Sequence, residues 1–168
     1  MALIFKLFRA LALVGASGIA LLLIAGWAGW LRGTPPVDLG ANAGRLKPPS
    51  ATDNSVTSQA ALYPDHPQRA YAQIAPLRFT GDGASAMASL AALLGSWPRT
   101  TLVTRQGNYL YAQCETRWLR FTDDLEFLLD EPASVVHVRS ASRIGRKDFG
   151  ANRARVEALR AAWEKTSH

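Results

Sequence analysis

The chain opens on a long apolar run and then changes period three times. From Ala10 to Leu31, "ALALVGASGIALLLIAGWAGWL" carries no charge. About 22 residues at 1.5 Å each span roughly 33 Å, enough to cross a hydrocarbon core of ~30 Å. Trp27 and Trp30 stand at its C-terminal end, where indoles favour the headgroup region. Lys6 and Arg9 precede the run and Arg32 follows it, a bias that puts the N-terminus on the cytoplasmic side. A cleaved signal sequence is the competing reading. The run exceeds the ~7–15 apolar residues of such a segment, and no small-x-small site or lipoprotein cysteine follows it. Residues 1–32 are therefore expected to be an uncleaved anchor.

From Gly33 the apolar pattern is lost. "GTPPVDLGANAGRLKPPS" is rich in Pro and Gly, and residues 33–50 read as a linker, part of it a spacer that holds a domain off the bilayer. Val56, Leu62, Tyr71, Ile74 and Leu77 reappear in the next stretch, so 51–77 is expected to drape along the domain as an ordered arm.

Helical spacing returns with Met87, Leu90, Leu93 and Leu94, predicting a helix from Gly83 to Gly95 capped by Asp82 and stopped by Pro98. Strand alternation then takes over. "TTLVTRQ" and "YLYAQCETR" flank a "GN" turn, the mark of a hairpin. Leu110, Ala112 and Cys114 point inward in the second strand, but from Leu119 the odd positions become apolar, which requires a turn or bulge near Arg117–Trp118. "SVVHVRSAS" forms a fourth strand after the "DEPA" loop, and Asn152, Val156, Leu159 and Trp163 stripe a last helix. The expected domain, residues 51–164, is α+β: two helices over one face of a four-stranded antiparallel sheet in the order α-β-β-β-β-α. A disordered tail is expected over 165–168.

One segment breaks its own alternation. Asp123 falls in phase with Phe121, Leu125 and Phe127, on the face to be covered. A loop over 130–133 would set Phe127 against Val136, Leu125 against Val138 and Asp123 against Ser140. On the other face it pairs Glu126 with His137, Asp124 with Arg139 and Arg120 with Arg143. A buried carboxylate needs donors, and Ser140, Ser142, a loop amide or Asn152 are placed to supply them. Either Asp123 clamps the following loop to the sheet, or it is the acid of a pocket.

Charge narrows the choices. The chain has 19 Lys and Arg against 13 Asp and Glu, a net +6. The excess concentrates in residues 131–168, where eight bases meet four acids. Arg139, Arg143, Arg146, Lys147, Arg153 and Arg155 make a basic cluster suited to an anionic headgroup or an acidic partner near a membrane. No interleaving of aromatic and basic residues supports nucleic-acid binding. The single Cys114 excludes an intrachain disulfide and a multi-cysteine zinc site. Asp123 and Asp124 point to opposite faces and cannot readily share a metal ion. Ser55, Ser58 and Ser140 lie in no Gly-x-Ser-x-Gly elbow, and no cofactor motif is present.

"YLYAQCETRWLRFTDDLEFLLD", "VVHVRSASRIGRKDFGANRARVEALR" and "NSVTSQ" together resemble the bacterial and chloroplast family called domain of unknown function 1499, over about residues 45–164. Members often have Asn-Cys-Val-Ser where this chain has Asn54-Ser55-Val56-Thr57. The resemblance implies a recurring polar set: Asn54, Ser58, Asp123, Asp124, Glu126, Arg139, Ser140, Ser142, Arg143, Asp148, Asn152 and Arg153. With the apolar run and its charge bias, the expectation is a bacterial inner-membrane protein with a single span, a cytoplasmic N-terminus and a periplasmic domain. The leading expectation is a non-catalytic module for an envelope protein or anionic lipid. Its candidate binding residues are Asp123, Arg139, Ser140, Ser142, Arg143, Asn152 and Arg153, with Asp124, Glu126 and His137 as structural pairs. The alternative is a small-molecule binder or hydrolase-type enzyme with a pocket around Asp123 and Arg139 or Arg143.

Overall fold

A computed structural model describes residues 1–166. The apolar run forms α1 (Ala2–Trp27), 26 residues or about 39 Å, long and apolar enough to cross a membrane. Its end is a Schellman motif. Gly29 adopts φ +83° and donates to the Gly26 carbonyl, while the Trp30 amide reaches back to Ala25.

The predicted α+β class holds, with six strands where four were expected. β1 (Ser55–Thr57) and β2 (Leu77–Arg78) both come from the arm. A 3₁₀ turn at Ala60–Leu62 and a short helix, α2 (Arg69–Ala72), separate them. After them come α3 (Gly83–Ser96), β3 (Thr100–Gln106), β4 (Tyr109–Glu115), β5 (Thr122–Asp130), β6 (Val135–Ser142) and α4 (Ala151–Thr166). The antiparallel order is β1-β6-β5-β4-β3, with β2 pairing on the first half of β6. The arm therefore joins the sheet rather than lying over it. Backbone amides and carbonyls do the joining, so strands this short leave little side-chain signal.

α3 and α4 cover one face, as expected. Asp82 caps α3 by accepting from the Ser85 amide at 2.7 Å. Leu90, Leu94, Val156, Leu159 and Trp163 pack on Leu110, Leu125, Phe127, Val136 and Val138. Trp163 also donates its indole N–H to the Arg78 carbonyl of β2 at 2.9 Å, tying the last helix to the arm. α4 continues through Thr166, so residues 165 and 166 belong to the helix and not to a tail; 167 and 168 lie outside the described residues.

The phase flip is absorbed by the loop Thr116–Phe121 between Glu115 and its partner Thr122, in which Arg120 takes φ +54°. The final hairpin turns one residue later than expected. Asp130 opposes Val135, and the turn is held by Ser134 N–H to the Glu131 carbonyl and by Ala133 N–H to Asp130 Oδ1. Ser134, at φ +52°, supplies the left-handed step. Every partner moves by two positions while each side chain keeps its face. Asp124 opposes Ala141, Glu126 opposes Arg139, and Asp123 opposes Ser142.

The second face of the sheet was expected to be open. Residues 38–50, read as linker, fold across it as a strap. Leu46 is buried and accepts Tyr63 OH at its carbonyl, and its amide donates to Gln59 Oε1 at 2.8 Å. Gln59 Nε2 returns a bond to the Gly44 carbonyl.

Candidate functional site

Three acids, consecutive or nearly so on β5, each meet one arginine, and the sheet divides them. On the helix side Asp123 binds Arg155 Nη2 in a short contact, and Arg155 Nη1 also donates to Asn152 Oδ1 at 2.8 Å and Ser140 Oγ at 3.1 Å. Asn152, fully buried, is the hub. It takes a bond from Ser140 Oγ at 2.5 Å, and its Nδ2 faces the Asn54 carbonyl, Ser142 Oγ and Asp148 Oδ2. Arg155 was read as part of the basic cluster, not as the partner of Asp123. Its place three residues after Asn152 puts both on one side of α4, which is the signal that could have found it.

On the strap side Asp124 and Arg143 make a fork: Nε lies 3.1 and 3.0 Å from the two carboxylate oxygens and Nη2 lies 2.7 Å from Oδ1. Tyr111 OH adds a bond to the same Oδ1 at 2.6 Å. Burial alone would lower the Arg143 pKa, but the Asp124 hydrogen bond and charge outweigh it and raise it. Glu126, wholly buried, is met by Arg139 Nη1 at 3.3 Å, Tyr109 OH at 2.8 Å and the Gly40 amide of the strap at 3.0 Å. Arg139 Nε continues to the Pro48 carbonyl. Burial and the neighbouring Glu126 charge push the Tyr109 hydroxyl up, so it stays a donor.

Asp123 and the pair Arg139–Arg143 thus lie on opposite faces and cannot line one pocket. The expected pairing of Asp124 with Arg139 becomes two pairs, Asp124–Arg143 and Glu126–Arg139. Arg120 leaves the ladder for Glu115 at 2.7 Å. Arg153 is apart from the cluster, donating to the Tyr71 carbonyl at 2.6 Å. Asp148 anchors the loop it belongs to: it accepts from Tyr71 OH and from the Gly150 and Asn152 amides. Burial would raise its carboxyl, yet these bonds hold it below the usual range. Tyr71 in turn is pushed up to about 12 by burial and by its bond to Asp148.

His137 is not paired with Glu126. Its Nε2 lies 3.4 Å from Asp130 and its Nδ1 3.1 Å from Ser58 Oγ. The chain Ser58–His137–Asp130 has the members of a hydrolytic triad, but Ser58 Oγ also accepts the Val138 amide and does not line the neighbouring cavity of about 390 Å³. Cavities of about 480 and 360 Å³ are lined by the strap and by residues 64–73. None of these three includes Asp123, Arg139 or Arg143. Burial pushes the Cys114 thiol up, away from its reactive form. Among the described residues, no three His, Cys, Asp or Glu side chains are placed to hold a metal ion.

Asn54 is the join between arm, sheet and loop. Its carbonyl accepts the Ser142 amide, and its Nδ2 donates to the Gly145 carbonyl at 2.7 Å. Of the positions that the resemblance singled out, Asn54, Ser58, Ser142, Asp148 and Asn152 lock the arm and the 143–150 loop to β6 and α4, while Asp123, Asp124 and Glu126 close on Arg155, Arg143 and Arg139. Neither a curated protein nor a solved structure matches the chain. A family model does, over residues 45–163, and the chain belongs to the family described as "Protein of unknown function (DUF1499)".

Proposed function

We propose that this protein is a membrane-anchored, non-catalytic module of the bacterial cell envelope. In this reading α1 crosses the inner membrane with its N-terminus in the cytoplasm. The domain stands in the periplasm and engages an envelope protein or an anionic lipid, without a cofactor. One observation carries the reading. The side chains of Asp123, Asp124 and Glu126 each close on an arginine and are at most 3% exposed, so no acid of the cluster faces solvent as a base or nucleophile partner.

Two measurements test it. A fluorophosphonate probe applied to the full-length chain should label it no more than the Ser58→Ala variant; labelling that depends on Ser58 would make it an acyl-transfer enzyme instead. A reporter fused to the C-terminus should be active only in its periplasmic form, and activity in the cytoplasmic form would reverse the orientation.

A further inference from the structure

The end of the sheet where β4 stops, β5 starts and β6 stops lies against the exit of α1. Gly26 is buried there because the Leu119 backbone rests on it; a Cβ at position 26 would come within 2.8 Å of the Leu119 carbonyl carbon. Arg120 sits over the Trp27 ring at 5.2 Å, and Arg32 reaches Glu115 at 3.4 Å. Gly33 packs against Arg143 and Ile144. Thus the loops 116–121 and 143–148 are held beside the last turn of a membrane-length helix.

What these loops expose matches that position. Trp118 is 65% exposed, with Arg117 stacked on it at 4.8 Å, and Ile144 is 41% exposed. Arg99, Arg117, Arg146 and Lys147 are all exposed. The acids here are largely engaged: Glu115 lies between Arg32 and Arg120, and Asp148 binds Tyr71 and Asn152, leaving Asp53 as the further acid of this end. The far end of the sheet is mixed in sign, with Asp130 and Glu131 at the β5–β6 turn and Asp82 at the start of α3 set against the exposed Arg78 of β2 and Arg105 of β3.

We infer that the basic, tryptophan-bearing end of the sheet is a lipid-binding face for the headgroups of anionic phospholipids. The inference rests on the membrane-anchored reading above and adds a surface and a ligand chemistry to it. Trp27 and Trp30 fix the level of the interface. The contact of Leu119 with Gly26 then brings Trp118 to the same depth, and the surrounding cations meet the phosphates of anionic lipids in the leaflet on that side, whose potential attracts a Lys or Arg within about a Debye length. A lipid surface is favoured over a protein because the patch is continuous with the bilayer-embedded helix.

The test uses the full-length chain in nanodiscs of phosphatidylcholine alone and of phosphatidylcholine mixed with phosphatidylglycerol, read by amide hydrogen exchange. Slow exchange of residues 11–24 in both discs reports the anchor. Residues 116–120 and 143–148 should exchange more slowly in the anionic discs, and the difference should be lost at high salt, in R117E/R146E/K147E and in Trp118→Ser, without a change in melting temperature. Equal exchange in the two discs with a protected anchor overturns the lipid face and leaves the anchor intact. Fast exchange of 11–24 in both overturns anchor and face together. Protection that arises only after an envelope protein is cross-linked through Lys147 assigns the surface to a protein and also overturns the proposal.

Discussion

Arg143, the residue after β6, reaches diagonally to Asp124 on β5 and holds both carboxylate oxygens, with the Tyr111 hydroxyl closing the group at 3.0 Å from Arg143 Nη2. Both charged side chains are no more than 4% exposed, so neither has water to fall back on. Asp124→Asn keeps the shape and leaves the guanidinium buried without its counter-charge. A loss of about 3–5 kcal/mol in chemical denaturation is expected. A change under ~1 kcal/mol would mean that the pair is not a clamp.

Asp123 and Arg155 are joined to Ser140 and Asn152 in one network, so their contributions should not add. In a double-mutant cycle of Asp123→Asn and Arg155→Gln, the coupling should fall in the range of about 0.5–3 kcal/mol. Additive losses would place Arg155 outside the network.

The strap predicts that a residue outside any helix or strand will matter. Leu46→Ala should destabilise the domain by about 2–5 kcal/mol, because it empties a packed site. In a free linker the same change would have almost no effect. Urea denaturation of the full-length protein in detergent separates the two.

The Asp148–Tyr71 pair should shape both limbs of the pH profile. The folded-state pKa of Asp148 is depressed, so its contribution is present above the ordinary value of 3.8 and is lost as pH falls through the lower folded value. Tyr71 is shifted upward, so its contribution is complete below 10 and is lost as pH rises towards about 12. Asp148→Asn should flatten the acid limb and Tyr71→Phe the alkaline one, as read by thermal melts across pH. Unaltered limbs would remove the pair as their cause.

Gly26→Val should part the helix from the domain, since the new side chain occupies the space of the Leu119 backbone. Spin labels at Trp30 and Arg117 should show a longer, broader distance distribution while the melting temperature of the domain is unchanged. An unshifted distance would mean that the contact is incidental.

The sequence determined everything that depends on period and on local chemistry. The apolar run made a membrane-length helix, the stripe Asn152, Val156, Leu159 and Trp163 became the buried side of α4, and "GN" made the hairpin turn, with Gly107 at φ +50°. The two-residue alternation also assigned Asp123, Asp124, Glu126, Arg139 and Arg143 of the last hairpin to their correct faces, although Arg120 left the ladder for Glu115. What it misassigned was which charge meets which, because a turn moved by one residue keeps the faces and changes all the partners. Only the folded chain decided that Asp124 takes Arg143, that Arg155 crosses from α4 to Asp123, and that residues 38–50 close the second face. Those choices rest on backbone amides and carbonyls, which every sequence offers alike, and on long arginine side chains whose reach exceeds the spacing of neighbours along a strand.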